Sequence, residues 1–214
     1  MNARSIFVNA LTFSRLPLTF AWLVLAFFGD GAVGWPRVVL AVAALAALTL
    51  SGFSDLADGL LARRWKVVTA LGKMADPLMD KAVYVIVFPA LTYFAARVPG
   101  PKIHAVAILA FTILYILRDL WVTFLRSVGS MYGADVAAMM LGKIRTALTF
   151  PVAAFIYAYI AFSPMCTAPL AVLWLRTCYV LETAMIFLNI YSFYAYTCAY
   201  APFVKKALAQ NSEI

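Results

Sequence analysis

Residues 55–80 read DLADGLLARRWKVVTALGKMADPLMD. Four aspartates stand in a largely apolar neighbourhood, Asp55 and Asp58 three apart, Asp76 and Asp80 four apart. On a helix either spacing puts both side chains on one face. Each pair lies at the end of an apolar run long enough to cross a bilayer, and ionisable groups at membrane depth are costly and mark function by default. A single aspartate there would read as a helix cap. Four of them, with Gly59, Ala62, Arg63 and Gly72 interspersed, read as a site. Facing carboxylates repel unless a cation neutralises them. Two divalent cations would balance the four charges, and Mg²⁺ prefers oxygen ligands.

The rest of the chain supplies the membrane setting. Its 214 residues are 65% hydrophobic and 12% charged, with a mean hydropathy of +0.93. A soluble domain of this size could not hide that much apolar surface. The composition therefore predicts an all-α integral membrane protein, with residues 1–214 as a single domain. The net charge of +8 suits anionic headgroups at a cytoplasmic surface. Nucleic acid is excluded as a partner, because the basic residues are scattered among the apolar segments. Cys166, Cys178 and Cys198 show neither paired nor metal-ligand spacing and read as small buried hydrophobes. The N-terminal apolar run is long, is interrupted by Arg15 and Pro17, and does not read as a cleaved signal.

Six stretches are long enough to span, roughly 8–28, 38–60, 74–96, 103–125, 147–163 and 170–200, the last running on or bending. Glycine and proline clusters punctuate them at 29–36, 99–101 and 164–169. Arg4, Arg63, Arg64, Lys66, Lys73, Arg126, Lys143, Arg145, Lys205 and Lys206 fall on one side of this six-helix bundle; Arg37, Arg97 and Lys102 fall on the other. The positive-inside bias puts both termini and the aspartates at the cytoplasmic face.

Several residues have readings of their own. Gly59 lets a ligand approach the backbone, Ala62 one turn after Asp58 keeps that face shallow, and Arg63 offers a fork suited to phosphate oxygens. Arg64 reads as an interfacial anchor. Arg15, in the middle of the first span, must snorkel or face a polar cavity. Pro77 is expected in the first turns of the third span, and Lys81 is expected to orient a carboxylate or snorkel. Arg176 and Glu182, six apart on the last span, are expected to seek partners on other helices. His104, the single histidine, is expected at the non-cytoplasmic interface, away from the aspartates. Trp, Tyr and Phe read as lipid-facing bulk and interfacial belts.

The spacing D-x-x-D-G-x-x-A-R-(x)8-G-x-x-x-D-x-x-x-D resembles the signature of the CDP-alcohol phosphotransferases, the phosphatidyltransferase family. All eight fixed positions are present: Asp55, Asp58, Gly59, Ala62, Arg63, Gly72, Asp76 and Asp80. The resemblance implies that an alcohol attacks the β-phosphorus of a CDP-linked lipid and CMP leaves. It further implies two Mg²⁺ or Mn²⁺ ions on the four aspartates, Asp80 as catalytic base, a CDP-lipid site at Asp58, Gly59, Ala62, Arg63 and Gly72, and a homodimer. Residues 9–15, NALTFSR, are similar to the N-x-L-T-x-x-R opening of bacterial phosphatidylglycerophosphate synthases. Arg118-Asp119, Arg126 and the stretch Gly142-Lys143-Ile144-Arg145-Thr146 resemble the same subfamily. Asp119 stands where that subfamily has Glu, and Thr149 where it commonly has Gln. An R-D pair is also similar to the cardiolipin synthases.

Arg118, Arg126, Lys143 and Arg145 lie beyond the donor motif on the cytoplasmic side and suit an acceptor that is itself a phosphate. The expected reaction joins CDP-diacylglycerol to glycerol 3-phosphate at a bacterial plasma or inner membrane. Phosphatidylglycerol and inositol phosphate stay open as acceptors. A divalent-cation transporter is the alternative from another class. It would need carboxylates reaching the midplane, and the outer halves of these two spans have none.

Overall fold

The chain breaks its helices where glycine, proline and capping side chains stop them. The computed structural model describes residues 3–67, 69–99, 102–133 and 140–210, with side chains at 70, 71, 73, 74, 140–143 and 210 outside that description. Six long helices follow in order: α1 (Ala3–Gly31), α2 (Trp35–Trp65), α3 (Ala70–Arg97), α4 (Ile103–Met131), α5 (Met140–Phe162) and α6 (Ala168–Gln210), with a 3₁₀ turn at Ser163–Met165. Each contains a stretch long and apolar enough to cross a membrane. Among the described residues there is no strand. The helices outrun the spans expected from hydropathy, because polar residues at their ends continue the backbone ladder into the interface. Of these, α6 is the longest at 43 residues.

The α2–α3 connection shapes the aspartate motif. Lys66 closes α2 in the left-handed conformation, φ 54°, and the Val67 N–H reaches the Ala62 carbonyl at 3.1 Å. Thr69 then caps α3, its hydroxyl accepting from the Gly72 N–H at 3.0 Å. Because α3 starts at Ala70, Pro77 lies deeper in the helix than the sequence reading put it.

α1 packs on α2 and α3, α4 on α3 and α6, and α5 on α2, α3 and α6. The core is an aromatic lattice that includes Trp22, Phe88, Phe94 and Phe111. Neighbouring rings meet edge-on, as Phe88 and Phe111 do at 4.9 Å. Outward faces carry Phe28, Phe53, Leu60, Leu173 and Phe187, all exposed, which is the surface a lipid-embedded bundle presents. Where α2 meets α5, Gly52 makes room for the Phe150 ring, which a Cβ there would overlap.

The end of the bundle away from the aspartates corrects one expectation and bears out another. His104 is buried, not interfacial. Its Nε2 pairs with Oε1 of Glu182 at 2.8 Å, between the rings of Tyr159 and Tyr179. Glu182 thus finds its partner on another helix. A buried polar group in this setting must be satisfied locally, so the pair ties α4 to α6. Nearby, Arg97 at the end of α3 pairs with Asp30 at the end of α1.

Removing one member of the His104–Glu182 pair leaves the other buried without it. Glu182→Ala is expected to cost about 1.5–3 kcal/mol, and the double variant His104→Leu/Glu182→Leu is expected to cost less than the single one. Thermal unfolding in detergent checks both.

Candidate active site

Arg15 projects from α1 between α2 and α3, and the four aspartates gather around its guanidinium. Nη1 lies 2.7 Å from Asp55 Oδ1 and 2.8 Å from Asp80 Oδ1. Nη2 lies 2.5 Å from Asp58 Oδ2 and 3.8 Å from Asp76 Oδ1. Each nitrogen therefore spans one carboxylate of α2 and one of α3. The Arg15 side chain is only 3% exposed. Asp58 is equally enclosed at 4%, while Asp55, Asp76 and Asp80 are 44%, 48% and 34% exposed. Thr12, one turn before Arg15, donates to Asp58 Oδ2 at 2.7 Å. The Arg15 carbonyl accepts from Thr19 at 2.7 Å and from Ser51 at 3.2 Å, which fixes the backbone from which the guanidinium reaches out.

Two cavities meet at the aspartates. The larger, about 810 Å³, is walled by Asp55, Arg63, Asp76 and Asp80 on one side. Tyr84, one turn beyond Asp80, continues that side, and the far wall carries Tyr115, Arg118, Arg126 and Arg145 with Tyr196 of α6. The smaller, about 50 Å³, lies between α1 and the α2–α3 turn and is lined by Asn9, Thr12, Asp58, Gly59, Ala62, Thr69, Gly72 and Asp76. Each of the eight signature residues borders one cavity or the other, and Asp76 borders both. A Cβ on Gly72 would come within 3.1 Å of the Thr69 hydroxyl and 3.4 Å of Asn9 Oδ1. Thr69 in turn donates to Asn9 Oδ1 at 3.0 Å. A side chain at 72 would therefore crowd both the cap and the small cavity.

The arginines of the far wall are held in place. Asp119 Oδ1 accepts from Arg118 Nη1 at 2.9 Å and from Arg145 Nη2 at 2.6 Å. Arg118 also donates to Ser192, and its guanidinium lies 4.9 Å from the Tyr196 ring centre. Arg145 donates to Asn189 at 3.1 Å and stacks 4.3 Å over Tyr115. Arg126 donates to the Tyr196 hydroxyl at 3.1 Å. Lys81, expected to orient a carboxylate or snorkel, reaches the Thr123 hydroxyl of α4 at 2.8 Å at an exposed position and so bridges helices. Lys143, expected beside Arg145, has its side chain outside the described residues. Tyrosines are expected to face lipid, yet Tyr84, Tyr115 and Tyr196 line the cavity. Nothing local distinguishes them from the other aromatic residues.

The donor set is of a kind that suits divalent cations. It is all oxygen and carries four negative charges against the single charge of Arg15, and Asp76 Oδ1 is buried with no hydrogen-bond partner among the described residues. That chemistry suits a hard cation. As arranged around Arg15, no three carboxylate, thiol or imidazole groups among the described residues converge closely enough to ligate one ion.

Fold and site together define an integral membrane protein with a polar cavity built against a carboxylate cluster. The chain belongs to the CDP-alcohol phosphatidyltransferase family, whose sequence model matches residues 6–183. The family generally uses a divalent metal. Similar proteins include the cardiolipin synthase (CMP-forming) of Streptomyces coelicolor, 40% identical over 90 residues, 40% of this chain and 38% of that protein. The CDP-diacylglycerol–glycerol-3-phosphate 3-phosphatidyltransferase of Bacillus subtilis is 34% identical over 143 residues, 64% of this chain and 69% of that protein. The Cereibacter sphaeroides protein of the same name is 32% identical over 101 residues, 47% of this chain and 41% of that protein. The chain thus spans less than half the length of the first and the third.

Asp119 holds two buried guanidinium groups, whereas Arg126 leans on one tyrosine. Charge-assisted hydrogen bonds contribute about 1.5–3 kcal/mol each. Asp119→Ala should therefore lower the unfolding temperature clearly more than Arg126→Ala does, measured side by side in detergent.

Proposed function

We propose that this protein transfers the phosphatidyl group of CDP-diacylglycerol to glycerol 3-phosphate, releasing CMP and forming phosphatidylglycerophosphate in phospholipid biosynthesis. One observation carries the reading: three of the signature carboxylates, Asp55, Asp76 and Asp80, share one cavity with Arg118, Arg126 and Arg145 at the end of a membrane-embedded bundle. The arginine wall suits an acceptor bearing its own phosphate. The Bacillus subtilis relative is named for the same pair of substrates.

In this reading the nucleotide end of the donor lies against the mouth of the small cavity, where Gly59, Ala62 and Gly72 keep the wall shallow. Arg63, on the large cavity, meets diphosphate oxygens. Asp55, Asp58, Asp76 and Asp80 hold two divalent cations, Mg²⁺ or Mn²⁺, which when bound supply positive charge to the diphosphate and the departing CMP. Arg118, Arg126 and Arg145 seat the acceptor phosphate and thereby orient its hydroxyl toward the donor. The hydroxyl oxygen bonds to the β-phosphorus and the bond to the CMP oxygen breaks, the electron pair leaving with CMP. The carboxylate of Asp80, at the cavity wall, accepts the hydroxyl proton. A free aspartate, with a reference pKa near 3.9, is a weak base toward an alcohol, so assistance comes as the hydroxyl acidifies during attack. The lysine and arginine bias supports a cytoplasmic-facing cavity, where soluble phosphorylated acceptors and CMP exchange freely.

A second reading takes phosphatidylglycerol as acceptor. The Arg118-Asp119 pair and the Streptomyces coelicolor relative favour it. Purified protein given CDP-diacylglycerol, Mg²⁺ and a panel of acceptors separates the two: faster CMP release with glycerol 3-phosphate than with phosphatidylglycerol upholds the first, and the reverse order overturns it.

Two variants probe the roles. Asp80→Asn should lower kcat by about 10²–10⁴-fold and leave CDP-diacylglycerol binding little changed, because a group acting in the transition state mainly affects turnover. Near wild-type kcat would remove Asp80 from the base role. Arg145→Ala should raise KM for glycerol 3-phosphate about 10–150-fold, with KM for the donor nearly constant. Unphosphorylated glycerol should be a poor acceptor for both forms. That comparison separates a lost phosphate contact from general misfolding, which would penalise both acceptors equally.

A further inference from the structure

We propose that Arg15 is the resident counter-ion of the four aspartates and competes with divalent cations for their oxygens, so that this side chain on α1 sets the metal affinity of the site. The inference rests on the reading of those aspartates as cation ligands.

The geometry carries it. Arg15 closely contacts one oxygen of each of three carboxylates, Asp55 Oδ1, Asp58 Oδ2 and Asp80 Oδ1, and lies 3.8 Å from Asp76 Oδ1. A divalent cation needs several such oxygens at about 2.0–2.6 Å. A guanidinium wedged among them stands where such an ion would have to sit. The two cations therefore share ligands and cannot both take them in full. Satisfying the buried Asp58 does not explain the arrangement, because Thr12 also serves that carboxylate. Arg15 reaches on to Asp55 and Asp80, which are 44% and 34% exposed and able to keep water.

The side chain is also placed to give way. Its backbone is tied through the carbonyl to Thr19 and Ser51. Its Nε is buried with no hydrogen-bond partner among the described residues. Among the described residues only carboxylates hold the guanidinium, and the cavity of about 810 Å³ that Asp55, Asp76 and Asp80 border lies beside it. One guanidinium does not match four carboxyl groups, so Arg15 keeps the helices together while the cluster still attracts a doubly charged ion. Arg15 is on this account a positioning residue acting through the carboxylates.

The test is direct cation binding without turnover. Mn²⁺ is titrated into purified wild-type, Arg15→Gln and Arg15→Lys protein in detergent, and free Mn²⁺ is read by electron paramagnetic resonance. Arg15→Gln should bind Mn²⁺ about 10–150-fold tighter than wild type. Its unfolding temperature should fall in chelator and recover largely with saturating Mg²⁺. Arg15→Lys, which keeps the charge but has no fork to span both helices, should fall between. Equal or weaker Mn²⁺ binding by a folded Arg15→Gln overturns the proposal. Should that variant fail to fold, wild-type protein decides: modification of Arg15 by phenylglyoxal, located by peptide mass spectrometry, should quicken with saturating Mn²⁺. An unchanged rate overturns the proposal. Absence of saturable Mn²⁺ binding by wild-type protein is a different result, and overturns the underlying reading of the aspartates as well.

Discussion

Four carboxylates and one guanidinium in a membrane-embedded bundle constrain everything else in this molecule. Unpaired charge at that depth is costly, and attraction there is little screened. The contacts from Arg15 to Asp55 and Asp58 on α2 and to Asp76 and Asp80 on α3 therefore fix three helices at one level. The local structure serves that convergence. The left-handed Lys66 and the Thr69 cap let the chain reverse between the aspartate pairs in few residues. Thr19 and Ser51 hold the α1 backbone at the height from which Arg15 can reach both pairs.

The opposite wall solves the reverse problem, several cations close together. Its arginines are spread over α4 and α5 and given different supports: a shared carboxylate at Asp119, the faces of Tyr115 and Tyr196, and the polar atoms of Asn189 and Ser192. A tyrosine face attracts a guanidinium without taking a full unit of charge from it. The wall can stay basic toward an incoming anion while remaining packed. Asp119 offsets one of its charges.

Much of this was legible in the sequence, and what was not has a common cause. The i, i+3 and i, i+4 spacings placed each aspartate pair on one helical face, and runs of apolar residues with glycine and proline breaks gave six helices. Both are local signals. Arg15 could be said only to need a polar surrounding, because its partners lie 40 to 65 residues away along the chain. His104 looked interfacial for the same reason: its partner Glu182 is 78 residues on. The cavity tyrosines were hidden by composition, since in a chain this rich in aromatic residues a ring facing a cavity and a ring facing lipid carry the same local pattern. Pro77 was placed too near its helix start because Thr69 caps α3 ahead of the apolar run.

The buried residues of α6 lie along a single seam: Cys178, Glu182, Met185, Asn189, Ser192, Tyr196 and Tyr200. Glu182 grips His104 at one end of the bundle, and Asn189, Ser192 and Tyr196 brace the arginines toward the other. On a helix, slipping by one residue turns every side chain by about 100°. The seam works as a key cut along its length, with the distant tooth at Glu182 setting the rotational phase at which the others engage. Residues remote from the cavity thereby hold its basic wall in alignment without touching anything inside it.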